Sequence, residues 1–385
     1  MTPAAPRDHA PPHPVPPGLR AAIRRKLLRW YDRHKRDLPW RRRPDDPYAQ
    51  WVAEIMLQQT RVETAGPYYA RFLRRFPDVQ TLADADADEV LKHWEGLGYY
   101  RRALHLHRAA RLLRDERRAI PARRAELLAL PGIGAYTAAA IASIAFGERA
   151  AAVDGNVARV LSRLFGITED VTAPAGQARL RRCADALIPR GRPGDFNQAW
   201  MDLGSLVCLP RAPKCPVCPL RAHCIAEQRG LAGVLPNRVA GRLRSVLEVT
   251  LLAGVFVHRG RMLVRHRPSG GLWSRLWEFP CVELDGGAPG AGEVRRLARE
   301  ATLALTGRLR WVGTLRHRLT HRALSFHVVV ATGEPQGDGP GNSSLQWVSS
   351  GGFGRLCVST AHRRIYDLAR SGIPAASQRT GTLIE

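Results

Sequence analysis

The sequence predicts two kinds of fold in one chain, a mainly helical N-terminal region followed by an α+β C-terminal domain. Three observations lead to this prediction. Apolar residues recur every three or four positions from Leu19 onward, as on amphipathic helices, and no strand is needed before residue 225. Four cysteines then fall between Cys208 and Cys224. Beyond residue 245, the runs VLEVTLLAGVFV, LSFHVVVAT and LQWVS have strand composition, and Glu293 to Leu305 has helix composition.

The composition is that of a globular protein with a polyanionic partner. The chain has 385 residues, of which 45% are hydrophobic and 24% charged, which is enough for about two to three domains. Lys and Arg number 59 against 34 Asp and Glu, a formal net charge of +25, and this excess favours nucleic acid as the partner. Membrane-spanning and signal segments are not apparent. We therefore expect a monomeric, cytoplasmic, nucleoid-associated protein without a membrane partner.

The chain divides into six parts. Residues 1–18 hold seven prolines and are predicted to be a disordered tail. The helical region covers 19–207, a cysteine module 208–229, an Arg-rich linker 230–245, the α+β domain 246–370 and a C-terminal tail 371–385. At the start of the α+β domain, the turn residues HRG between VLEVTLLAGVFV and RMLVRHR predict a β-hairpin.

Pro and Gly breakers separate the predicted helices of the N-terminal region. Beyond the first, these helices are Trp51 to Arg61, Thr64 to Phe76, Ala87 to Gly96, Arg101 to Arg117, Ala125 to Ala129, Tyr136 to Phe146 and Val157 to Phe165. The Trp51 helix has an apolar face and a polar one, the latter formed by Gln50, Glu54, Gln58 and Arg61. This spacing predicts that Glu54 faces a polar cleft or solvent.

Two further motifs suit nucleic-acid chemistry. In LPGIGAYTAAA, residues 130–140, a short helix ends at a Pro-Gly-x-Gly hairpin and a second helix follows. Gly132 and Gly134 leave amide N–H groups uncovered beside a helix N-terminus, which suits a phosphate oxygen, although a plain helix–helix turn is an alternative. Asp154 in VDGNVARVLSR stands where a helix N-cap is the default role. About twenty positions after the hairpin, it is also placed to act on the attached sugar.

The cysteine module has the spacing of a metal or cluster site. Short loops can bring four thiolates to one centre, those of Cys208, Cys215, Cys218 and Cys224. A structural zinc site is the alternative, but zinc modules usually offer two Cys-x2-Cys pairs and only one is present. Cys183, Cys281 and Cys357 lack such neighbours and are predicted to be ordinary buried residues.

The order of these motifs resembles one family. A glutamate helix, GLGYYRRA, a Gly hairpin, VDGNV and the four cysteines resemble the iron–sulfur branch of the helix-hairpin-helix DNA glycosylases. Within that branch, LQQTRVET resembles the MutY-type adenine DNA glycosylases, and GLWSRLWEFP and HRLTH resemble their MutT-like, or Nudix-like, C-terminal domain. The resemblance covers nearly all of residues 20–370. Endonuclease III relatives carry a Lys where this chain has Tyr136.

The resemblance implies a DNA repair enzyme that hydrolyses the N-glycosidic bond of adenine opposite 8-oxoguanine or guanine in double-stranded DNA. It implies a 4Fe-4S cluster on the four cysteines. A Lys amine could form a Schiff base with the sugar, whereas the Tyr136 hydroxyl cannot, so a monofunctional glycosylase is implied. Glu54 is then the general acid and Asp154 stabilises the sugar cation, while Tyr136 and Asn156 orient the carboxylates and the sugar.

The same resemblance assigns the DNA contacts. The residues implied to touch the duplex are Gln58, Gln59, Thr60, Leu97, Tyr99, Gly132 and Gly134, and those implied to recognise 8-oxoguanine are Thr320 and His321. Without the resemblance, core packing would be expected of Leu97 and Tyr99. The chain departs from the family at Leu319, where an aromatic is usual. It also departs in the Nudix box, where only Glu300 remains of the magnesium ligands, so nucleotide hydrolysis is not expected.

Two other classes of function stay open. One is an endonuclease III-like bifunctional glycosylase and lyase that uses a distant Lys, although Lys is scarce and none lies near the hairpin. The other is a non-enzymatic DNA-binding protein with a structural metal module, in which Glu54 and Asp154 would be ordinary surface residues.

Overall fold

A computed structural model describes residues 15–237, 246–285, 287, 289–336 and 344–372. By their contacts these residues form two compact units. Residues 15–84 and 105–237 make up the first unit, and residues 85–104 and 246–372 the second. The sequence division placed all of 19–207 in one domain. The packing differs because residues 85–104 contact the C-terminal residues, which sequence spacing does not reveal.

Residues 15–237 are helical, and within this described stretch no β-strand occurs. The helices are α1 (Pro17–His34), α2 (Pro47–Leu57), α3 (Val62–Arg75), α4 (Val79–Asp84), α5 (Ala87–Trp94), α6 (Arg101–Asp115), α7 (Arg124–Leu127), α8 (Ala135–Phe146), α9 (Gly155–Phe165), α10 (Pro174–Leu187), α11 (Pro193–Leu206) and α12 (Ile225–Gln228). The predicted helices are present, and α4, α10, α11 and α12 are additional. None of the helices in the described chain is long and apolar enough to span a bilayer.

The ordered chain extends into two of the segments predicted to be irregular. Helix α1 begins at Pro17, and Val15 is buried in the core of the first unit, so the ordered structure begins within the predicted tail. Residues 1–14 lie outside the described residues. In the predicted linker, Leu235 is buried and the Asn237 amide donates to the Thr168 carbonyl at 2.7 Å. Residues 238–245 and 373–385 likewise lie outside the described residues.

The first unit is organised around α11. This helix packs against α1, α8 and α9, and α2 packs against α8 on the other side. Apolar residues of α1, α9, α10 and α11 form one continuous core, which includes Leu27, Leu161, Leu187 and Leu203. The N-terminal ends of α8 and α9 therefore lie on a common scaffold with α2.

The second unit is built on a mixed eight-stranded sheet. Its strands are β1 (Leu247–His258), β2 (Arg261–His266), β3 (Trp277–Glu278), β4 (Cys281–Glu283), β5 (Leu303–Leu305), β6 (Arg310–Arg318), β7 (Arg322–Pro335) and β8 (Leu345–Val348). β1 runs parallel to β7, whereas the other pairs are antiparallel. The predicted hairpin is present as β1 and β2, with Val257 opposite Met262.

Helices cover both faces of this sheet. α13 (Ala291–Glu300) packs with Leu252 and Val329 on one face. α14 (Ser350–Arg355) and α15 (Thr360–Ala369) lie with Val328 and Phe326 on the other. The alternation of Leu252 with Ala253, and of Val328 with Val329, between the two cores follows from the two-residue period of a strand. The second unit is therefore an α+β domain, as the sequence predicted.

Candidate functional site

Helix α2 carries Glu54 into the interior of the first unit. Asp46 caps the helix by accepting the Ala49 N–H at 2.9 Å, and Pro47 occupies the first helical turn. Every residue from Tyr48 to Met56 is buried, and Glu54 is only 5% exposed. The solvent-facing alternative predicted for Glu54 is wrong, because neighbouring helices cover the polar face of α2 as well as the apolar one.

Tyr136 lies in the first turn of α8, the helix that packs against α2. Its hydroxyl lies 3.7 Å from Sδ of Met201, and its interaction with the Glu54 carboxyl lowers the pKa of that carboxyl. Burial raises the pKa of Tyr136 well above its ordinary value, and the charges of Glu54 and Asp154 raise it further. The hydroxyl therefore stays protonated and acts as a hydrogen-bond donor in this pocket.

Asp154 caps α9, and the same carboxylate faces the pocket. Its Oδ1 accepts the Val157 N–H at 2.7 Å, and its Oδ2 accepts the Asn156 side-chain amide at 3.0 Å. The cap role predicted from sequence is confirmed by these contacts. The capping geometry fixes the orientation of the carboxylate, because both of its oxygens are held by donors of α9.

The environment of Glu54 makes it a proton donor near neutral pH. Burial raises its pKa from 4.5 to about 7, the Tyr136 hydrogen bond lowers it, the Asp154 charge raises it, and Arg41 lowers it. Among the described residues, Glu54 Oε2 has no hydrogen-bond partner. A buried carboxyl with one free oxygen and a pKa of this kind can protonate a bound group.

Sequence reasoning missed a buried ion-pair group beside this pocket. Arg41 donates to both oxygens of Asp202, at 2.7 and 3.0 Å, and Arg36 donates to the same carboxylate at 2.7 Å. Asp202 is fully buried. Arg41 is thereby held in place, and its charge acts on Glu54. No short-range motif links residues of α2, α11 and the loop between α1 and α2, so sequence spacing carried no signal for this group.

Asn156 connects the pocket to the cysteine loop. Its Oδ1 accepts a hydrogen bond from Arg159 Nη2 at 2.9 Å. Arg159 is itself buried and donates to the carbonyls of Cys208 and Gly204, at 2.9 and 2.8 Å. Gly204 has no room for a side chain, since a Cβ there would lie 2.8 Å from that of Asn156. A continuous hydrogen-bonded chain therefore runs from Asp154 to Cys208.

Glycine stands at the two hairpin positions for different structural reasons. Gly132 has a φ of +80°, and a Cβ on it would lie 2.6 Å from Cβ of His105. Gly134 has an extended backbone, is the N-cap of α8, and has nothing within 4 Å of its absent Cβ. Because no side chain caps α8, its first-turn amides remain open to an external acceptor. Gly132 thus shapes the hairpin, and Gly134 leaves it accessible.

The four predicted ligand cysteines line one small cavity of about 30 Å³ in the first unit. Short 3₁₀ turns at Cys215–Val217 and Arg221–His223 place them around it. Burial raises the pKa of the Cys218 thiol to about 11, so any metal must displace protons on binding. Within the described residues, three or more His, Cys, Asp or Glu side chains do not close on one point as a single ion would require. The four cysteines thus share one cavity, and the choice between zinc and a cluster is left to metal analysis.

The side chain of Arg163 contacts the loop that carries the cysteines. It is 2% exposed, and its Nη1 lies 3.3 Å from Sγ of Cys208. Its guanidinium also donates to the carbonyls of Leu209, Pro210 and Leu235, at 2.6 to 2.8 Å. A buried cation beside sulfur ligands offsets negative charge that thiolates would bring. Sequence spacing carries no signal for this role, since Arg163 stands as one more arginine of α9.

The predicted DNA-contact residues after α2 form a tight turn in the first unit. Gln58 donates to the Thr137 hydroxyl at 3.1 Å, so it is fixed against α8. Gln59 is exposed and has a left-handed φ of +57°. The Thr60 hydroxyl lies 3.5 Å from the Gln58 carbonyl. These contacts place the turn beside the N-terminal half of α8.

The second unit holds the other predicted contacts. Tyr99 is 45% exposed, whereas Leu97 is 6% exposed, so Leu97 would have to leave its packing to enter a duplex. Thr320 lies on the turn between β6 and β7, and its hydroxyl is 2.9 Å from that of Tyr99. His321 is exposed beside it. Leu319, where the family usually has an aromatic, packs against the apolar core, and its N–H donates to the Arg322 carbonyl across the turn.

Two family descriptions match the chain. Residues 52–185 match the HhH-GPD superfamily of base excision DNA repair proteins, and residues 252–368 match the NUDIX domain. A solved thermostable thymine-DNA glycosylase shares 32% identity with this chain at a TM-score of 0.50, over 55% of this chain and 97% of that one. These matches confirm the predicted fold class.

Curated relatives span most of the chain. It is 37% identical over 420 residues to the adenine DNA glycosylase of Rattus norvegicus, covering 93% of this chain and 80% of that protein. It is 36% identical over 404 residues to the adenine DNA glycosylase of Homo sapiens, covering 90% and 73%. The chain, with its matched helical and Nudix regions, therefore belongs to the adenine DNA glycosylase family of base excision DNA repair enzymes.

Proposed function

We propose that this enzyme removes adenine from A:8-oxoguanine and A:G pairs in duplex DNA by hydrolysis, without a lyase step. The observation that carries the proposal is the buried Glu54, whose pKa is raised to about 7 and whose Oε2 is free of partners among the described residues. Asp154 and Tyr136 lie beside it. Two carboxyl groups in different environments suit glycoside hydrolysis through an oxocarbenium-like transition state.

The reaction follows from the roles of these side chains. An adenine turned out of the stack enters the pocket, and Glu54 gives its proton to a ring nitrogen as the bond between N9 and C1′ breaks. The Asp154 carboxylate, held by Val157 and Asn156, stabilises the positive sugar. A water then adds to C1′ and passes a proton to the Glu54 carboxylate, which restores the acid. The products are free adenine and an abasic strand.

The position of Tyr136 argues against a lyase. A Schiff base requires an amine near the sugar carbon, and this position carries a phenol instead. The chain has four lysines, Lys26, Lys35, Lys92 and Lys214. None of them contributes to the electrostatic environment of Glu54 or Tyr136. The bifunctional alternative therefore has no candidate nucleophile among the described residues of the pocket.

Recognition of 8-oxoguanine is assigned to the second unit. Thr320 and His321 are exposed at the tip of the β6–β7 turn, and the Thr320 hydroxyl already pairs with that of Tyr99. Hydroxyl and imidazole groups can pair with the edge of 8-oxoguanine that guanine presents differently. In contrast, Glu300 is exposed at the end of α13 and pairs only weakly with Arg296, at 4.0 Å. This half is therefore proposed to recognise the lesion and not to hydrolyse nucleotides.

The test is product analysis under single-turnover conditions on duplexes with A:8-oxoguanine, A:G and A:T pairs, with and without hot alkali. Alkali-dependent strand breaks on the first two duplexes and no borohydride-trapped adduct are expected. A Tyr136→Lys variant should gain some lyase activity, and Tyr136→Phe serves as its matched control. Strand breaks by the native enzyme without alkali would support the lyase alternative. Binding without excision on every duplex would support the non-enzymatic one.

A second experiment tests lesion recognition. Replacing Thr320 and His321 by Ala should slow excision opposite 8-oxoguanine more than opposite guanine, because each lost hydrogen bond costs about 1 to 3 kcal/mol of discrimination. The matched control is Ser344→Ala, a hydroxyl of the same unit placed just before β8. Equal slowing on both duplexes would mean that the turn supplies only general DNA contacts.

We also propose that Cys208, Cys215, Cys218 and Cys224 hold a 4Fe-4S cluster. The shared cavity and the buried guanidinium of Arg163 support this ligand set. When bound, the cluster would cross-link the loop that carries the exposed Arg211 and Lys214 toward DNA phosphates. Metal analysis should give about four irons per chain, and Cys215→Ser should lose iron and stability, whereas Cys183→Ala should keep its iron. One zinc and no iron would contradict the assignment.

A further inference from the structure

Helix α5 and the loop at residues 96–100 belong to the second unit, and C-terminal residues hold the helix from its first turn. Asp88 in that turn lies 3.6 Å from the guanidinium of Arg275. The carbonyl of Leu91 accepts a hydrogen bond from the thiol of the buried Cys357 at 3.2 Å. These contacts span most of a helix of eight residues.

The end of α5 is held by a denser group of contacts, which we call the α5 clamp: Lys92, Glu95 and Arg363. Lys92 Nζ donates to the carbonyls of Gly354 and Leu356, at 2.8 and 2.9 Å. Glu95 accepts from Lys92 through one carboxylate oxygen and from Arg363 through the other. Glu95 is 18% exposed, so this charge-assisted pairing is partly shielded from water.

Helix α15 carries the clamp and also supports the recognition turn. Arg363 binds Glu95, while its neighbour Arg364 donates to the carbonyl of Arg316 in β6 at 3.2 Å. α15 packs against both β6 and β7, the strands that the turn joins. The turn returns to the loop through the bond between Thr320 and Tyr99. The loop and the turn are therefore fastened to the same helix.

The loop itself has a conformation that requires support. Gly96, Gly98 and Tyr99 all have left-handed backbones, with φ of 95°, 77° and 48°. A tyrosine in this region is uncommon and persists where its surroundings hold it. The Trp94 indole donates to the Gly98 carbonyl at 3.1 Å, and the Gly96 N–H donates to the Tyr100 hydroxyl at 3.2 Å. Trp94 is the last residue of α5, so the position of α5 sets the position of the loop.

We propose that Glu95 is a positioning residue for lesion recognition. Through Lys92 and Arg363 it fastens α5 to the C-terminal helices, and this attachment fixes Tyr99 beside Thr320. The C-terminal half would then act on specificity in two ways, by its own turn and by holding a loop that precedes it by more than two hundred residues. The inference rests on the proposed recognition of 8-oxoguanine, but the attachment itself can be measured separately.

The experiment uses the full-length protein with Glu95→Gln and Arg363→Met. Hydrogen exchange of the peptide covering residues 96–104 should become about tenfold faster, because the loop opens when the clamp is lost. The preference for A:8-oxoguanine over A:G in single-turnover excision should fall about tenfold, the effect of one lost charge-assisted hydrogen bond. Arg363→Lys keeps the charge near Glu95 and should restore much of both properties.

Glu300→Gln is the matched control, because it breaks an exposed ion pair with Arg296 in the same unit. It should change neither exchange nor preference. If the two clamp variants show native exchange in residues 96–104, or faster exchange with an unchanged preference, the proposal is overturned. A native enzyme without any preference for 8-oxoguanine would instead refute the proposed function, and the exchange measurement would still decide whether the clamp holds the loop.

Discussion

At the scale of single residues, burial decides the chemistry of Glu54. Its charged form is disfavoured by the surrounding helices and by Asp154, and favoured by Tyr136 and Arg41, with burial the largest influence. Asp154 differs because two donors of α9 bind its oxygens. Two carboxyl groups in one pocket thus have unequal environments, which is what separate acid and electrostatic roles require.

The rate of excision should therefore depend on pH through Glu54. Above about pH 7 the acid is increasingly ionised, so the single-turnover rate should fall tenfold for each further pH unit. Glu54→Gln should lower the rate by about 10² to 10⁴ while leaving the affinity for the mispaired duplex nearly unchanged. Rates measured from pH 5.5 to 9 test both statements. A Glu54→Gln rate within threefold of the native enzyme would remove Glu54 from the mechanism.

The same carboxyl should make folding stability pH-dependent. In the unfolded chain Glu54 loses its proton near pH 4.5, but in the folded protein it keeps the proton up to about pH 7. Between these values the folded state binds more protons, so stability falls as pH rises, by about 3 kcal/mol in total. The Glu54→Gln variant lacks this pH-dependent loss, so its stability relative to that of the native protein should increase between pH 4.5 and 8. The free energy of unfolding is measured with urea at each pH. If it changed with pH in the same way for both proteins, the burial assigned to Glu54 would be contradicted.

At the scale of elements, the two glycines of the helix-hairpin-helix turn differ in backbone conformation and in the space around them. The φ of Gly132 and its closeness to His105 exclude any side chain, whereas Gly134 has an ordinary extended backbone and open space. The open space lies over the first turn of α8, where amides have no intrahelical partner. We therefore expect Gly132 to be needed for folding and Gly134 for access of a phosphate.

A pair of alanine variants should distinguish these two roles. Gly132→Ala combines left-handed strain with a clash and should destabilise the protein by about 2 kcal/mol or more. Gly134→Ala should fold with a loss of less than about 1 kcal/mol but bind duplex DNA more weakly, because its Cβ blocks the approach of a phosphate. Thermal unfolding and equilibrium binding at fixed salt give the two readouts. Native-like binding by Gly134→Ala would exclude the hairpin as a phosphate contact.

Sequence periodicity predicted the helices and strands better than it predicted which of their faces other elements would bury. The helices from Leu19 to Phe165 and the first β-hairpin are present because their apolar period and turn residues act locally. The pattern could not show that other elements would cover the polar face of α2 and bury Gln50 and Glu54. It also could not place Arg41 on Asp202, since that contact joins residues far apart in the chain. Burial by other elements is a tertiary property.

At the scale of the whole molecule, the net charge of +25 matches a duplex partner, and part of it is concentrated on the second unit. An open depression of about 750 Å³ on the sheet is lined by residues that include Arg316, Arg364, His327 and Ser325. Among the described lining residues none is acidic. Such a surface attracts phosphates without reading bases.

Removing these charges should flatten the salt dependence of DNA binding. Arg316→Ala or Arg364→Ala should lower the slope of log K against log salt by about 0.9 for each phosphate that the arginine neutralises, equally for A:8-oxoguanine and A:T duplexes. Arg299→Ala, an exposed arginine of α13, is the control and should leave the slope unchanged. An unchanged slope for both depression variants would show that DNA does not reach this part of the sheet.

The domain organisation was predicted in outline but not in detail. The change from helices to strands near residue 245 follows from composition, and the first described strand begins at Leu247. The bounds given for the six parts remain predictions. Residues 85–104 have the pattern of one more amphipathic helix and loop, and nothing in their spacing shows that they pack with the C-terminal half.

That discontinuous second unit has a consequence for biosynthesis. Residues 85–104 leave the ribosome roughly 140 residues before the strands that complete their unit, so the hydrogen bonds of Lys92 and Glu95 with C-terminal residues cannot form during that interval. The first unit must therefore begin to fold before residues 85–104 can make their contacts with the C-terminal residues. Contacts so distant along the chain form slowly, and a truncated or stalled chain would have to hold α5 without the α5 clamp.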